Sequence, residues 1–179
     1  MQEDIREILI DRYAIQARVF SMAQEIATCY GQQEFVLMPL MTGAIIFVAD
    51  LVRHMPRRMR IEVTAVSSYP NAATVHQGTR LLYPTKFEVA GKHVLVIDDI
   101  LDSGKTLAYV TSLLAESGAA SVKTCVLLRK KIAAEQHINA DFIGFEIPDE
   151  FVVGYGLDFN HYYRNLPDLA VLQRHVFER

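Results

Sequence analysis

The stretch Val94-Leu95-Val96-Ile97-Asp98-Asp99-Ile100-Leu101-Asp102-Ser103-Gly104-Lys105-Thr106 decides how this chain folds and where its chemistry lies. Its apolar start reads as a strand buried on both faces. The strand runs into two adjacent carboxylates, and Asp102 follows three residues after Asp99. A small-residue turn then opens a helix. Ser103, Gly104 and Thr106 offer hydroxyls and backbone N–H groups around that helix N-terminus, an arrangement suited to a phosphate. The carboxylates just before it would repel a bare polyphosphate. The combination suits a ligand that carries both a phosphate and a diol. The loop takes the phosphate, while Asp98 and Asp99 take hydroxyls or a hydrated Mg²⁺. Gly104-Lys105-Thr106 resembles the end of a Walker A loop, but that motif needs glycine at position 99, where this chain has Asp. A plain capped strand–turn–helix is the bland alternative. Paired acids after a buried strand are costly without a ligand, which argues against it. A phosphoacceptor receiver domain also uses an acid pair, but near its N-terminus and with a separate acceptor Asp on a later strand.

Outward from this segment, strands alternate with helices. Residues 13–30 carry Ile15, Val19, Phe20, Ala23, Ile26 and Ala27 at helical spacing, and Gly31 ends the helix. Phe35 to Met41 reads as a buried strand, Ile45 to Met55 as a helix, and Ile61 to Val66 as a strand. Leu107 to Glu116 reads as a helix, with strands at Val122 to Leu128, Phe142 to Phe145 and Phe151 to Val153. Residues 69–86 have little periodicity and read as a long loop or mobile hairpin, a length that is usually functional or disordered. This alternation predicts an α/β fold with a mostly parallel sheet covered on both faces. Ligands of such sheets bind beyond the carboxyl ends of the strands.

Composition bounds the rest. The chain has 179 residues, 51% hydrophobic and 22% charged, which excludes extended disorder and fits one domain. Its net charge of −3 excludes a global basic surface for nucleic acid. Cys29 and Cys125 have neither metal nor redox spacing and read as two reduced thiols. The acidic start, Met1-Gln2-Glu3-Asp4, does not resemble a secretory signal. The longest apolar run, Phe35 to Ala49, has 15 residues, where a membrane span needs about 20. The expectation is a soluble, cytoplasmic protein without a membrane partner.

The acid–loop segment resembles the phosphoribosyl-diphosphate (PRPP) signature of type I phosphoribosyltransferases. A second segment, Ile147-Pro148-Asp149-Glu150-Phe151-Val152-Val153-Gly154-Tyr155-Gly156-Leu157-Asp158-Phe159, reads alone as a strand with a glycine-rich turn. It closely resembles the base-binding segment of hypoxanthine-guanine phosphoribosyltransferases. Leu127-Leu128-Arg129-Lys130 and Tyr163-Arg164-Asn165-Leu166-Pro167 extend the match, which runs from about residue 8 to residue 172.

The resemblance implies the type I phosphoribosyltransferase fold with a core over about 13–145. It also implies a small hood from the N-terminal residues and about 146–179, and a mobile lid over 69–86 that opens at Ser68 and Tyr69. It implies conversion of PRPP and hypoxanthine or guanine to IMP or GMP and pyrophosphate, with Mg²⁺ as cofactor. Asp98, Asp99, Asp102, Ser103, Gly104, Lys105 and Thr106 would bind ribose phosphate, and Asp98, Asp99 and Asp158 would serve the metal. Lys130 would donate to the purine 6-oxo oxygen, which favours oxo-purines over adenine. Phe151 would stack on the base and Val152 would offer backbone groups. Arg164 would grip pyrophosphate, alongside Thr42 and Gly43. Asp102 resembles the general base for the N7 proton, the competing view being that it only orients the purine. Self-association as a dimer or tetramer is implied, with Phe35–Met55 as a candidate interface.

The chain departs from the family at two points. Thr42 stands where a basic residue usually precedes the glycine of the pyrophosphate loop, so PRPP or pyrophosphate binding is expected to weaken or to lean on Mg²⁺ and Arg164. Asp98 stands where Glu is common. The Met41–Thr42 peptide is expected to be cis, and His76 is assigned no role. The rival readings are a transferase that prefers xanthine or another base, and a PRPP-sensing regulator that binds nucleic acid. The charge balance, Asp102 and Lys130 oppose the regulator.

Overall fold

The computed structural model describes residues 2–68, 79–83, 87–131 and 137–177. Its main sheet has seven strands. These are β2 (Phe35–Met41), β3 (Arg60–Ile61), β4 (Thr64–Ser68), β5 (Thr79–Tyr83), β6 (His93–Leu101), β7 (Ser121–Lys131) and β8 (Phe142–Pro148). They lie in the order β5-β4-β2-β6-β7-β8, with β3 also beside β2. All pairings are parallel except β4 with β5. A second sheet, in the order β1-β10-β9, joins both ends of the chain: β1 (Ile5–Ile10), β10 (Leu169–Leu172) and β9 (Val152–Val153) pair antiparallel.

Side-chain alternation along the central strands makes two cores. Leu37, Leu95, Ile97, Cys125 and Leu127 face α1 (Arg12–Tyr30) and α2 (Ile45–Arg53), packing with Ile15, Met22, Phe47 and Leu51. Val36, Met38, Val94, Val96 and Val126 face the opposite way, packing with Leu107, Val110 and Leu114 of α3 (Lys105–Glu116). The unbroken apolar runs of β2 and β6 are therefore the signature of strands covered twice. Asp11 starts α1 by accepting from the N–H groups of Tyr13 and Ala14, both at 2.9 Å. Asp168, just before β10, accepts from the Arg12 guanidinium at 3.1 and 2.8 Å and from its backbone N–H at 2.8 Å, and so ties α1 to the small sheet.

Several elements differ from the sequence expectation. The strand expected at Ile61–Val66 is divided into β3 and β4. β6 and β7 run past their apolar stretches, so Asp98, Asp99, Arg129 and Lys130 lie within strands. β1 and β10 were not anticipated; β1 carries Arg6 and Glu7 amid its apolar residues, and its burial is shallow. Of the expected lid, residues 79–83 form β5, while 69–78 and 84–86, with Tyr69 and His76, lie outside the described residues. Ser68 ends β4. Cys29 and Cys125 are unpaired thiols, the second buried. Among the described residues, no helix is long and apolar enough to cross a membrane.

Candidate active site

The carboxyl ends of β2, β6 and β7 meet at one place. β6 delivers the acid pair. Asp98 Oδ1 accepts from the N–H of Asp99 at 3.0 Å, and Asp99 Oδ1 from that of Ile100 at 2.9 Å. Both carboxyls bind their protons more tightly than usual. For Asp98 the cause is burial, then the neighbouring Asp99 charge. For Asp99 burial is again the main cause, opposed by hydrogen bonds from Asp98 and Ile100 and by the charge of Arg164. Charged together, the two acids are short of a cation.

Beyond the pair, Leu101 to Gly104 turn into α3. Gly104 holds a left-handed conformation, φ 78°, at the start of that helix, whose N-terminus has no side-chain cap bond. The N–H of Lys105 lies 3.5 Å from Ser103 Oγ, a weak contact, and N–H groups at a helix start suit an anion. The N–H of His137 donates to Ser103 O at 3.0 Å and steadies the loop from behind.

β7 delivers Lys130. Alternation sends Arg129 and Lys131 to one side, where both pair with Glu146, and Lys130 to the other. There its ammonium lies 3.5 Å from Asp102 Oδ2 and 3.0 Å from Asp149 Oδ1. The Lys130 side chain is only 14% exposed. A cavity of about 220 Å³ opens in front of it, lined by Asp99, Ile100, Asp102, Lys130, Phe151, Val152, Leu157 and Asp158. The Phe151 ring is stacked by Phe177 at 4.9 Å and met edge-on by Phe159 at 5.5 Å. A larger cavity, about 460 Å³, lies at the opposite end of the sheet beside Phe35, Arg58, Arg60 and Lys92. That end lacks the acid pair and the anion loop, so the smaller cavity is the candidate site.

The loop after β2 closes the site. The Met41–Thr42 peptide is cis, as the family resemblance implied. A Cβ on Gly43 would lie 1.8 Å from Asp99 Oδ2, so any larger residue here would push the Asp99 carboxylate aside. From the other side, a Cβ on Gly156, at φ 104°, would lie 2.3 Å from Gly43 O. Arg164 reaches the same turn. It donates to Gly156 O at 2.6 Å and pairs with Asp158 at 2.7 Å. The other Asp158 oxygen accepts from the N–H of His161 at 2.8 Å.

The structure thus brings together Asp98, Asp99, Asp102, Ser103, Gly104, Lys130, Phe151, Val152, Asp158 and Arg164, with Gly43 against Asp99. Lys105 and Thr106 lie in the first turn of α3, and Thr42 is exposed at the loop tip. Sequence reasoning missed Asp149, the second partner of Lys130, which sits 19 residues away with no local signal. It missed the aromatic partner Phe177. It read Gly154-Tyr155-Gly156 as a turn but not as the seat of the Gly43 loop.

A family model for the phosphoribosyl transferase domain matches residues 7–160. The hypoxanthine-guanine phosphoribosyltransferase of Bacillus subtilis (strain 168) is 38% identical over 178 residues, covering 99% of each chain. A crystal structure of a hypoxanthine phosphoribosyltransferase from Staphylococcus aureus superposes with a TM-score of 0.92 at 31% identity, covering 100% of this chain and 97% of that one. A variant of the Trypanosoma cruzi hypoxanthine phosphoribosyltransferase, complexed with the product IMP, gives a TM-score of 0.88 at 34% identity, covering 98% and 94%. On this similarity, the chain belongs to the hypoxanthine-guanine phosphoribosyltransferase family.

Proposed function

We propose that the protein makes IMP or GMP in purine salvage, by moving the 5-phosphoribosyl group of PRPP onto hypoxanthine or guanine and releasing pyrophosphate. The observation that carries this reading is that Asp102 and Lys130 line one cavity, 3.5 Å apart, with the acid pair at its edge and the anion loop next to it. Lys130 donates to the 6-oxo oxygen; a 6-amino group, itself a donor, is disfavoured there. Phe151 stacks on the base, and the Val152 backbone meets its edge. As N9 bonds to ribose C1′, the C1′–oxygen bond to pyrophosphate breaks, and Asp102 takes the proton that grows acidic at N7. The 103–106 loop holds the 5-phosphate through N–H groups and hydroxyls. Arg164 and the Thr42–Gly43 backbone bind the departing pyrophosphate, with no loop cation to help.

Asp98 and Asp99 fit a divalent cation. They are adjacent hard oxygen donors, and burial leaves them short of positive charge. Asp98 and Asp99 would be the residues that hold it; among the described residues no three metal-ligating side chains cluster. Asp158 is a further ligand if it shares oxygens with Arg164. Bound Mg²⁺ supplies charge neutralisation of the leaving group. The 69–86 segment serves as the lid, the small sheet and its flanking residues as a hood, and exposed Ile45 and Ile46 of α2 belong to a self-association surface. The cytoplasm is the proposed compartment.

Incubation with PRPP, Mg²⁺ and hypoxanthine, followed by chromatography, is expected to show IMP and pyrophosphate in equal amounts. No nucleotide with any purine, together with nucleic-acid binding at physiological salt, would replace this reading with the regulator.

A further inference from the structure

The turn that seats the pyrophosphate loop is fixed from a second side. Tyr155, only 6% exposed and at φ 49°, lies between Gly154 and Gly156. Its hydroxyl donates to Asp50 Oδ2 at 2.6 Å. Asp50 lies on α2, the helix that begins directly after the Thr42–Gly43–Ala44 loop. Arg53 donates to its other carboxylate oxygen. Ile46, four residues before Asp50 and on the same helix face, also approaches this turn: its Cγ1 would lie 3.6 Å from a Cβ on Gly156. The backbone of Gly156 in turn touches Gly43 O. Turn and helix are thus joined at both ends of one face, with the loop at one end and the Tyr155–Asp50 bond at the other. Burial, then the Asp50 hydrogen bond, pushes the Tyr155 phenol well above its ordinary pKa, so it remains a donor throughout the working pH range.

We infer that Tyr155 and Asp50 are positioning residues for pyrophosphate: their hydrogen bond sets where the Gly43 loop sits relative to Arg164 and Asp158. The inference rests on the transferase reading of the site. It gives a reason for a polar strut between buried Tyr155 and half-buried Asp50: with Thr42 in place of a cation, loop affinity depends on backbone donors, and these work only when held in place. The strut lies on the loop side of the cavity and none of its atoms line the base pocket, so base binding is independent of it.

The test is Tyr155→Phe, which removes one oxygen, with Asp50→Ala as the cut from the other side. A hydrogen bond to a charged group is worth about a tenfold change in binding. The KM for PRPP is expected to rise about tenfold in both variants while the KM for hypoxanthine stays within about twofold. Asp50→Asn, which keeps an acceptor oxygen, is expected to fall between them and the unaltered protein. Calorimetric titration of pyrophosphate with Mg²⁺ should show the same weakening. This readout needs no turnover, so it tests the strut even if the assigned reaction fails. Equal rises in both KM values, or an unchanged PRPP KM with only a lowered melting temperature, would overturn the inference and leave the pair a purely structural contact.

Discussion

Two carboxylates compete for one ammonium in this site, and their surroundings separate their tasks. Lys130 is nearly enclosed, so its charge must be matched; Asp149 does so at 3.0 Å and Asp102 at 3.5 Å. Asp149 makes the shorter pairing with Lys130 and Asp102 the longer one. Asp149 is 63% exposed, and solvent screens such a pair. Asp149→Asn is therefore expected to raise the KM for hypoxanthine only about two- to fivefold, with the KM for PRPP unchanged, in steady-state kinetics. Asp102→Asn keeps the shape but removes the proton acceptor. It is expected to cost kcat about 10²- to 10⁴-fold, whereas near-normal turnover would leave Asp102 only an orienting role. Asp98 shows the cost of such a site. Its folded pKa is raised, so the metal-free protein loses stability as pH climbs from the ordinary carboxylate range toward that raised value. Asp98→Asn is expected to melt higher at neutral pH by roughly 2–4 °C for each ~1 kcal/mol regained, and this gain should shrink in acid. A lower melting temperature would show that the charged pair is not a burden.

The elements that carry chemistry are loops pinned by close backbone approach. Gly156 is the clearest case, since alanine there meets both a positive φ and the carbonyl of Gly43. Gly156→Ala is expected to destabilise by about 2–3 kcal/mol, seen as a fall in melting temperature of roughly 5–10 °C, and to weaken PRPP binding as the Gly43 loop is displaced. How far sequence could see this differs by element. β2, α1, α2 and α3 were legible within a residue or two, because burial on one face or two imposes a period. The anion loop and acid pair were legible because their residue types lie next to each other. β1 and β10 were not, because each is a short strand whose partner lies at the far end of the chain. Asp149 and the Tyr155–Asp50 bond were invisible for the same reason: the partners are 19 and 105 residues apart, and nothing local marks them.

At the scale of the whole molecule, the carboxyl end of one sheet gathers the acid pair, Asp102 and Lys130. Parallel strands β2, β6 and β7 end together, so a loop, an acid pair and a lysine far apart in sequence share one cavity. The small β1-β10-β9 sheet brings Val152 and, just before it, Phe151 to the far wall. A ligand that spans the cavity therefore braces several elements at once. At about 100 times its dissociation constant, PRPP with Mg²⁺ should add about 2.7 kcal/mol, or roughly 5–10 °C in melting temperature, and a chelator should remove most of that gain. The central claim is that Lys130 and its cavity choose an oxo-purine for phosphoribosyl transfer. Initial rates with PRPP and Mg²⁺, compared for hypoxanthine, guanine, xanthine and adenine, test it directly. The account predicts turnover of hypoxanthine and guanine with adenine inert; turnover of adenine at a comparable rate would contradict it.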